Sequence, residues 1–216
     1  MIETAKIGDG IYSVSDLSDI LKIPNHKARY WFNTYVREIL PSITNYRYNL
    51  NPEIGLFVNF KSLLQFYVFI ELRKRKHSKR DILKLYTFIA KTYNTKYPFA
   101  TKSVFSVGSE ILTDVNGNLI NQTLQLNMVE ILSTYIEKID FNKEGMAQRF
   151  FPIGRDKNIV VDPRIQFGSP TIKGTRIEVD SIISFIQSGE SIESTSKTFD
   201  LNISQINDAL EYRKAA

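Results

Sequence analysis

The chain has 216 residues, 43% of them hydrophobic and 24% charged, with 28 Lys and Arg against 23 Asp and Glu for a net +5. That apolar share excludes wholesale disorder and leaves room for one or two domains. With no Cys and only His26 and His77, a disulfide framework, a thiolate or multi-His metal site and a Cys nucleophile are excluded, and no cofactor is expected.

The charge is unevenly placed. Residues 1–102 carry 17 Lys and Arg against 8 Asp and Glu, a net +9; residues 103–216 carry 11 against 15, a net −4. Halves of opposite sign suggest a polyanion as partner for the first and something else for the second. The Met1 segment lacks the layout of a signal peptide. The most apolar stretch, Leu63–Leu72, is far shorter than the ~20 residues of a membrane span. A cytoplasmic protein without membrane contact is expected.

In chain order, Ser13 reads as the cap of a short helix with Val14, Leu17, Ile20 and Leu21 on one face. Pro24 breaks it, and Asn25 is placed to cap a second helix over His26–Glu38. Ala28, Trp31, Phe32, Tyr35 and Ile39 face inward in that helix. Two short helices across a tight turn make a helix-turn-helix, whose second helix reads the major groove of double-stranded DNA. The readers here are Asn25, His26, Lys27, Arg29, Tyr30 and Asn33, side chains suited to bases and phosphates. A plain helical hairpin with a solvated face has the same pattern.

Tyr46/Tyr48 and Leu56/Val58 alternate around a turn and suggest a two-stranded wing, with Arg47 placed for a phosphate or minor groove. An ordinary loop is the alternative. Helices are expected over Lys61–Lys76 and Asp81–Tyr93. Between them Arg73, Lys74, Arg75, Lys76, Lys79 and Arg80 put six positive charges in eight residues. Basic residues favour helix ends, but six exceed that need and point to phosphate contact.

Tyr97–Gln122 is strand-like, and Asn116-Gly117 marks a hairpin turn. A helix is expected over Asn127–Asp140. Asn142–Lys157 reads as a boundary. Beyond it come very short strands cut by Pro and Gly, then helices over Val179–Gln187, Ser191–Thr198 and Ser204–Lys214. The last two again outline a helix-turn-helix. The expected class is mainly α with small β elements: an N-terminal winged helix-turn-helix and a C-terminal β-hairpin with three helices. The expected divisions are 1–96, 97–150 and 151–216. Gly168–Thr175 invites a phosphate-loop reading, but Lys173 precedes Gly174 and Pro170 lacks an N–H, so a turn is the better reading. No catalytic pair is recognisable, and a non-enzyme is expected.

Two resemblances add to this. Asp162-Pro163-Arg164-Ile165, Gly168, Pro170, Ile172 and Gly174-Thr175-Arg176-Ile177, followed by Gly189, Ser191-Ile192-Glu193, Phe199, Leu201, Gln205-Ile206 and Ala209-Leu210, resemble a short bacterial domain-of-unknown-function family over about residues 158–213. That family is similar to VapB-type antitoxins, typically encoded beside a PIN-like ribonuclease toxin. Tyr12–Leu17, Arg29-Tyr30-Trp31 and Tyr46-Arg47-Tyr48 resemble the winged helix-turn-helix of MerR-like regulators over roughly residues 10–93, without the cysteines of the metal-sensing branch. The resemblances imply a homodimeric DNA-binding antitoxin that represses its own promoter and neutralises a PIN-like toxin. Arg164, Arg176 and Arg213 are the candidates to engage the toxin's acidic site, since Arg pairs with carboxylates bidentately. A stand-alone MerR-like regulator with a ligand-sensing middle region is the alternative.

Overall fold

The structure, a computed structural model, describes residues 8–35, 57–102, 134–135 and 137–214. Among them are seven α-helices and a four-stranded antiparallel sheet. The expected wing with Arg47, the 115–119 hairpin and most of the 127–140 helix lie outside the described residues; the end of that helix is corrected, since Ile139 and Asp140 belong to a strand paired with its neighbour.

The first unit is helical. Helix α1, Val14–Leu21, starts at a reciprocal cap: Ser13 Oγ accepts the Asp16 N–H, and Asp16 accepts the Ser13 N–H. Each bond satisfies a donor that a helix start leaves open. The helix stops at Lys22, whose backbone is left-handed at φ 53°. Helix α2 is Asn25–Thr34, and here the expected cap is corrected: Pro24, not Asn25, occupies the cap position. The Pro24 carbonyl accepts the N–H groups of Lys27 and Ala28, and Asn25 becomes the first helical residue, turned outward. Helix α3, Phe60–Lys74, and helix α4, Lys79–Thr92, begin at Asn59 and Ser78, each side chain accepting an N–H three residues on. Their ends differ from the expected ones by one or two residues. Helix α3 is apolar around most of its girth and buries Leu63, Leu64, Phe66, Val68, Phe69 and Ile70, as a central core helix does. Phe32 of α2 meets Phe66 edge-on at 5.7 Å, a favoured aromatic geometry.

The sheet is a meander of strands β1 (Ile139–Phe141), β2 (Ala147–Phe150), β3 (Ile159–Val161) and β4 (Pro170–Ile172). The segment read as a boundary therefore contributes a strand, and β2 pairs with β3 through Phe150 and Val161. Residues on both sides of position 150 share one sheet. Strand β3 also links two apolar clusters. Val161 belongs to the larger one, built on α1–α4, and Ile159 to a smaller one with Ile172 and helices α5 (Val179–Gln187), α6 (Ile192–Phe199) and α7 (Ile203–Lys214).

A second junction joins the first unit to the last. Tyr12 is buried, and its hydroxyl lies where a β-carbon on Gly168 would fall, 2.0 Å away. Gly168 also has φ +95°, so glycine is required there on both counts. Nearby, Lys22 Nζ sits 3.4 Å over the Tyr212 ring, and Arg213 reaches Asp19 at 3.2 Å and Asp180 at 3.6 Å.

Candidate nucleic-acid and partner interfaces

Helix α2 sorts its side chains cleanly. Ala28, Phe32, Thr34 and Tyr35 are buried, Trp31 is partly buried, and Asn25, His26, Lys27, Arg29, Tyr30 and Asn33 are all exposed. Asn25, His26, Arg29, Tyr30 and Asn33 line one open depression, as positions three and four apart do on a helix. Tyr30 is 62% exposed; an aromatic ring left in water beside two donors and two amides is available for a ligand. The inward face fixes the helix, so the outward face is presented by a rigid element.

The turn before α2 is held by Ser18, whose hydroxyl donates to the Ile23 carbonyl at 2.7 Å while the Ile23 N–H donates back to the Ser18 carbonyl at 3.1 Å. The same wiring recurs between α6 and α7. Ser191 caps α6, and Asp200 is left-handed at φ 52°. Ser196 donates to the Leu201 carbonyl, and the Leu201 N–H returns to the Ser196 carbonyl. The two helix pairs share these turn bonds at matching positions, while the caps of their second helices differ: Pro24 offers no side-chain acceptor, whereas Asn202 Oδ1 accepts the Gln205 N–H. Sequence reading found the second only in outline; the signal it missed is the common spacing of Ser13, Ser18, Lys22 and Ile23 with Ser191, Ser196, Asp200 and Leu201.

Their faces differ in chemistry. Where α2 presents Asn25, His26, Arg29 and Asn33, α7 presents Ile203, Ser204, Asn207 and Glu211, all exposed. The second face carries no cation at these places.

The basic cluster divides as well. Arg73 donates to the His77 carbonyl at 2.5 Å, and Lys74 pairs with Glu71 at 2.8 Å; both serve the C-terminal end of α3, where cations are favoured. Lys79 and Arg80 instead sit in the first turn of α4, where the helix dipole disfavours a cation. Capping therefore does not account for them. Lys76 and Arg80 are exposed, Arg75 partly so.

The three arginines considered for the toxin are placed differently. Arg164 grips the buried Asp162 with Nε to Oδ1 at 2.9 Å and Nη2 to Oδ2 at 2.7 Å. Burial pushes the Asp162 carboxyl up, but the bonds and charge from Arg164 outweigh it and hold that carboxyl below its ordinary value. Arg213 joins α7 to Asp19 of α1. Arg176 is exposed with no side-chain partner among the described residues. No group of three or more His, Asp or Glu able to hold a metal occurs among the described residues. No helix there is long and apolar enough to cross a membrane.

Comparison with known proteins bears on the C-terminal unit and on the fold. Residues 159–212 match the model of a family described as a protein of unknown function, DUF433. Over 98 residues the chain is 26% identical to the Mycobacterium tuberculosis protein named "Putative antitoxin VapB45". That match covers 45% of this chain and 41% of the relative, so the chain aligns with less than half of that protein. The crystal structure of Rv2018 from Mycobacterium tuberculosis superposes with a TM-score of 0.70, covering 97% of this chain and 99% of that one at 17% identity. At that identity the likeness is one of fold.

Proposed function

We propose that this chain is a non-catalytic, DNA-binding antitoxin of a type II toxin–antitoxin system. On this reading it binds its own promoter, captures a PIN-like ribonuclease toxin and acts as a homodimer. The single observation that carries DNA binding is the face of α2. Six polar or basic side chains stand exposed on the second helix of a helix-turn-helix whose other face is locked in the core. Lys27 and Arg29 supply phosphate contact, and Asn25, His26, Tyr30 and Asn33 the base reading. Lys76, Lys79 and Arg80 extend the cationic surface, with Arg73, Lys74 and Arg75 beside them and Arg47 assigned to the wing.

The antitoxin reading is supported by the partial match to the mycobacterial antitoxin and by the C-terminal family match. Of the three arginines, Arg176 is the one free to meet a toxin carboxylate; Arg164 and Arg213 must first leave internal partners. Binding of the purified chain to DNA from upstream of its own gene tests the first part. Lys27→Ala with Arg29→Ala is expected to lower that affinity tenfold or more; unchanged affinity removes α2 from the interface.

A further inference from the structure

Phe167 is at odds with its surroundings. Its side chain is 78% exposed, yet its backbone is left-handed at φ 53°, directly after Gln166 at φ 47°. Left-handed backbone is unfavourable for a residue with a β-carbon, and glycine takes the same turn without that penalty. An exposed ring returns nothing to the fold by burial. Packing therefore does not account for a Phe at this position.

The turn that carries it is well tied. The Gly168 N–H donates to the Ile165 carbonyl at 2.9 Å, and Gln166 Nε2 to the Arg176 carbonyl at 3.1 Å. The Phe167 carbonyl accepts the Ile11 N–H at 3.2 Å, which ties its backbone to that of Ile11, itself 49% exposed. Both residues line a cleft of about 130 Å³ between the first helix-turn-helix and the C-terminal unit. Asp16 and Glu178 stand in its walls with no cation partner among the described residues, while Asp19 and Asp180 share Arg213. The Tyr12 hydroxyl, buried at the floor, has no hydrogen-bond partner among the described residues.

We propose that this cleft docks a protein partner through an apolar segment bearing a Lys or Arg side chain. Phe167 and Ile11 meet the apolar part, and Asp16 with Glu178 receives the cation. The carboxylates exclude a phosphate-bearing partner by repulsion and select a cation by charge complementarity. The cleft is smaller than the roughly 300–1,000 Å³ of small-molecule pockets, so it admits the end of a side chain rather than a metabolite. An aromatic anchor rimmed by charged groups is the usual anatomy of a protein interface. The inference rests on the reading that the chain captures a protein, and adds where it does so.

The test uses the full chain and the purified product of the gene adjacent to its own. Phe167→Gly is expected to weaken capture at least tenfold while leaving the Tm unchanged or raised, which a purely structural Phe167 would not do. Glu178→Gln is expected to weaken capture and flatten its salt dependence. Both variants should bind DNA like the unsubstituted chain. Capture unaffected by both substitutions overturns the docking site and leaves the antitoxin reading standing. No capture by the unsubstituted chain overturns both.

Discussion

Two charged side chains show how environment sets a residue's contribution. The Arg164–Asp162 pair joins a buried carboxylate to a half-exposed guanidinium. Removing the cation leaves a buried charge unpaired, so Arg164→Ala is expected to cost about 1–3 kcal/mol in urea unfolding. Because the Asp162 carboxyl lies below its ordinary value when folded, its stabilisation is present above the unfolded value and is lost as pH falls through the folded one. The variant should lose less stability on acidification than the parent. Lys22 is linked to pH in the same direction but for a different reason, because here burial disfavours the charged form. Burial is the largest influence on its ammonium and pushes it from 10.5 down to about 8. Between those values the unfolded chain binds more protons than the folded one, so stability rises with pH through that window. Lys22→Met should flatten the rise between pH 8 and 10, measured by urea midpoints.

At the scale of elements, the two helix pairs share a turn skeleton and differ in surface. Ser13 and Ser191 each cap a first helix, so Ser→Ala at either position should cost about 1 kcal/mol. The consequence for binding differs: the first substitution loosens the support of α2, while the second leaves α2 in place. DNA affinity should fall for Ser13→Ala and hold for Ser191→Ala, as gel-shift titration would show. Much of this scale was legible in the sequence. Helices over 14–21 and 179–187 follow from apolar spacing and caps, and the outward set of α2 follows from the positions of Ala28, Phe32 and Tyr35. The cap at Asn25 was misread because Pro24 fits the same position. Strand β2 escaped because four residues, Ala147–Phe150, offer too short an alternation beside Gly145 and Pro152. The exposure of Phe167 was not legible at all: it depends on a left-handed backbone that no local pattern of side chains announces.

Across the whole molecule the charge division has a structural counterpart. The net +9 of residues 1–102 includes the α2 face and the α3–α4 turn, while the carboxylates of the C-terminal unit gather with those of α1 around the Phe167 cleft. The two surfaces are held by one scaffold, through the sheet and through the packing of Tyr12 on Gly168. Gly168→Ala is expected to disrupt that junction, since its new methyl would fall on the Tyr12 hydroxyl; a Tm lowered by several degrees checks this. The account turns on α2 reading DNA. Titration of DNA from upstream of the chain's own gene over a range of salt, with the parent and with Lys27→Ala/Arg29→Ala, measures it most directly. Affinity is expected to fall steeply with salt for the parent, and the double variant to bind at least tenfold more weakly with a shallower salt slope at unchanged Tm. Equal affinity and equal slope for the two proteins would contradict it.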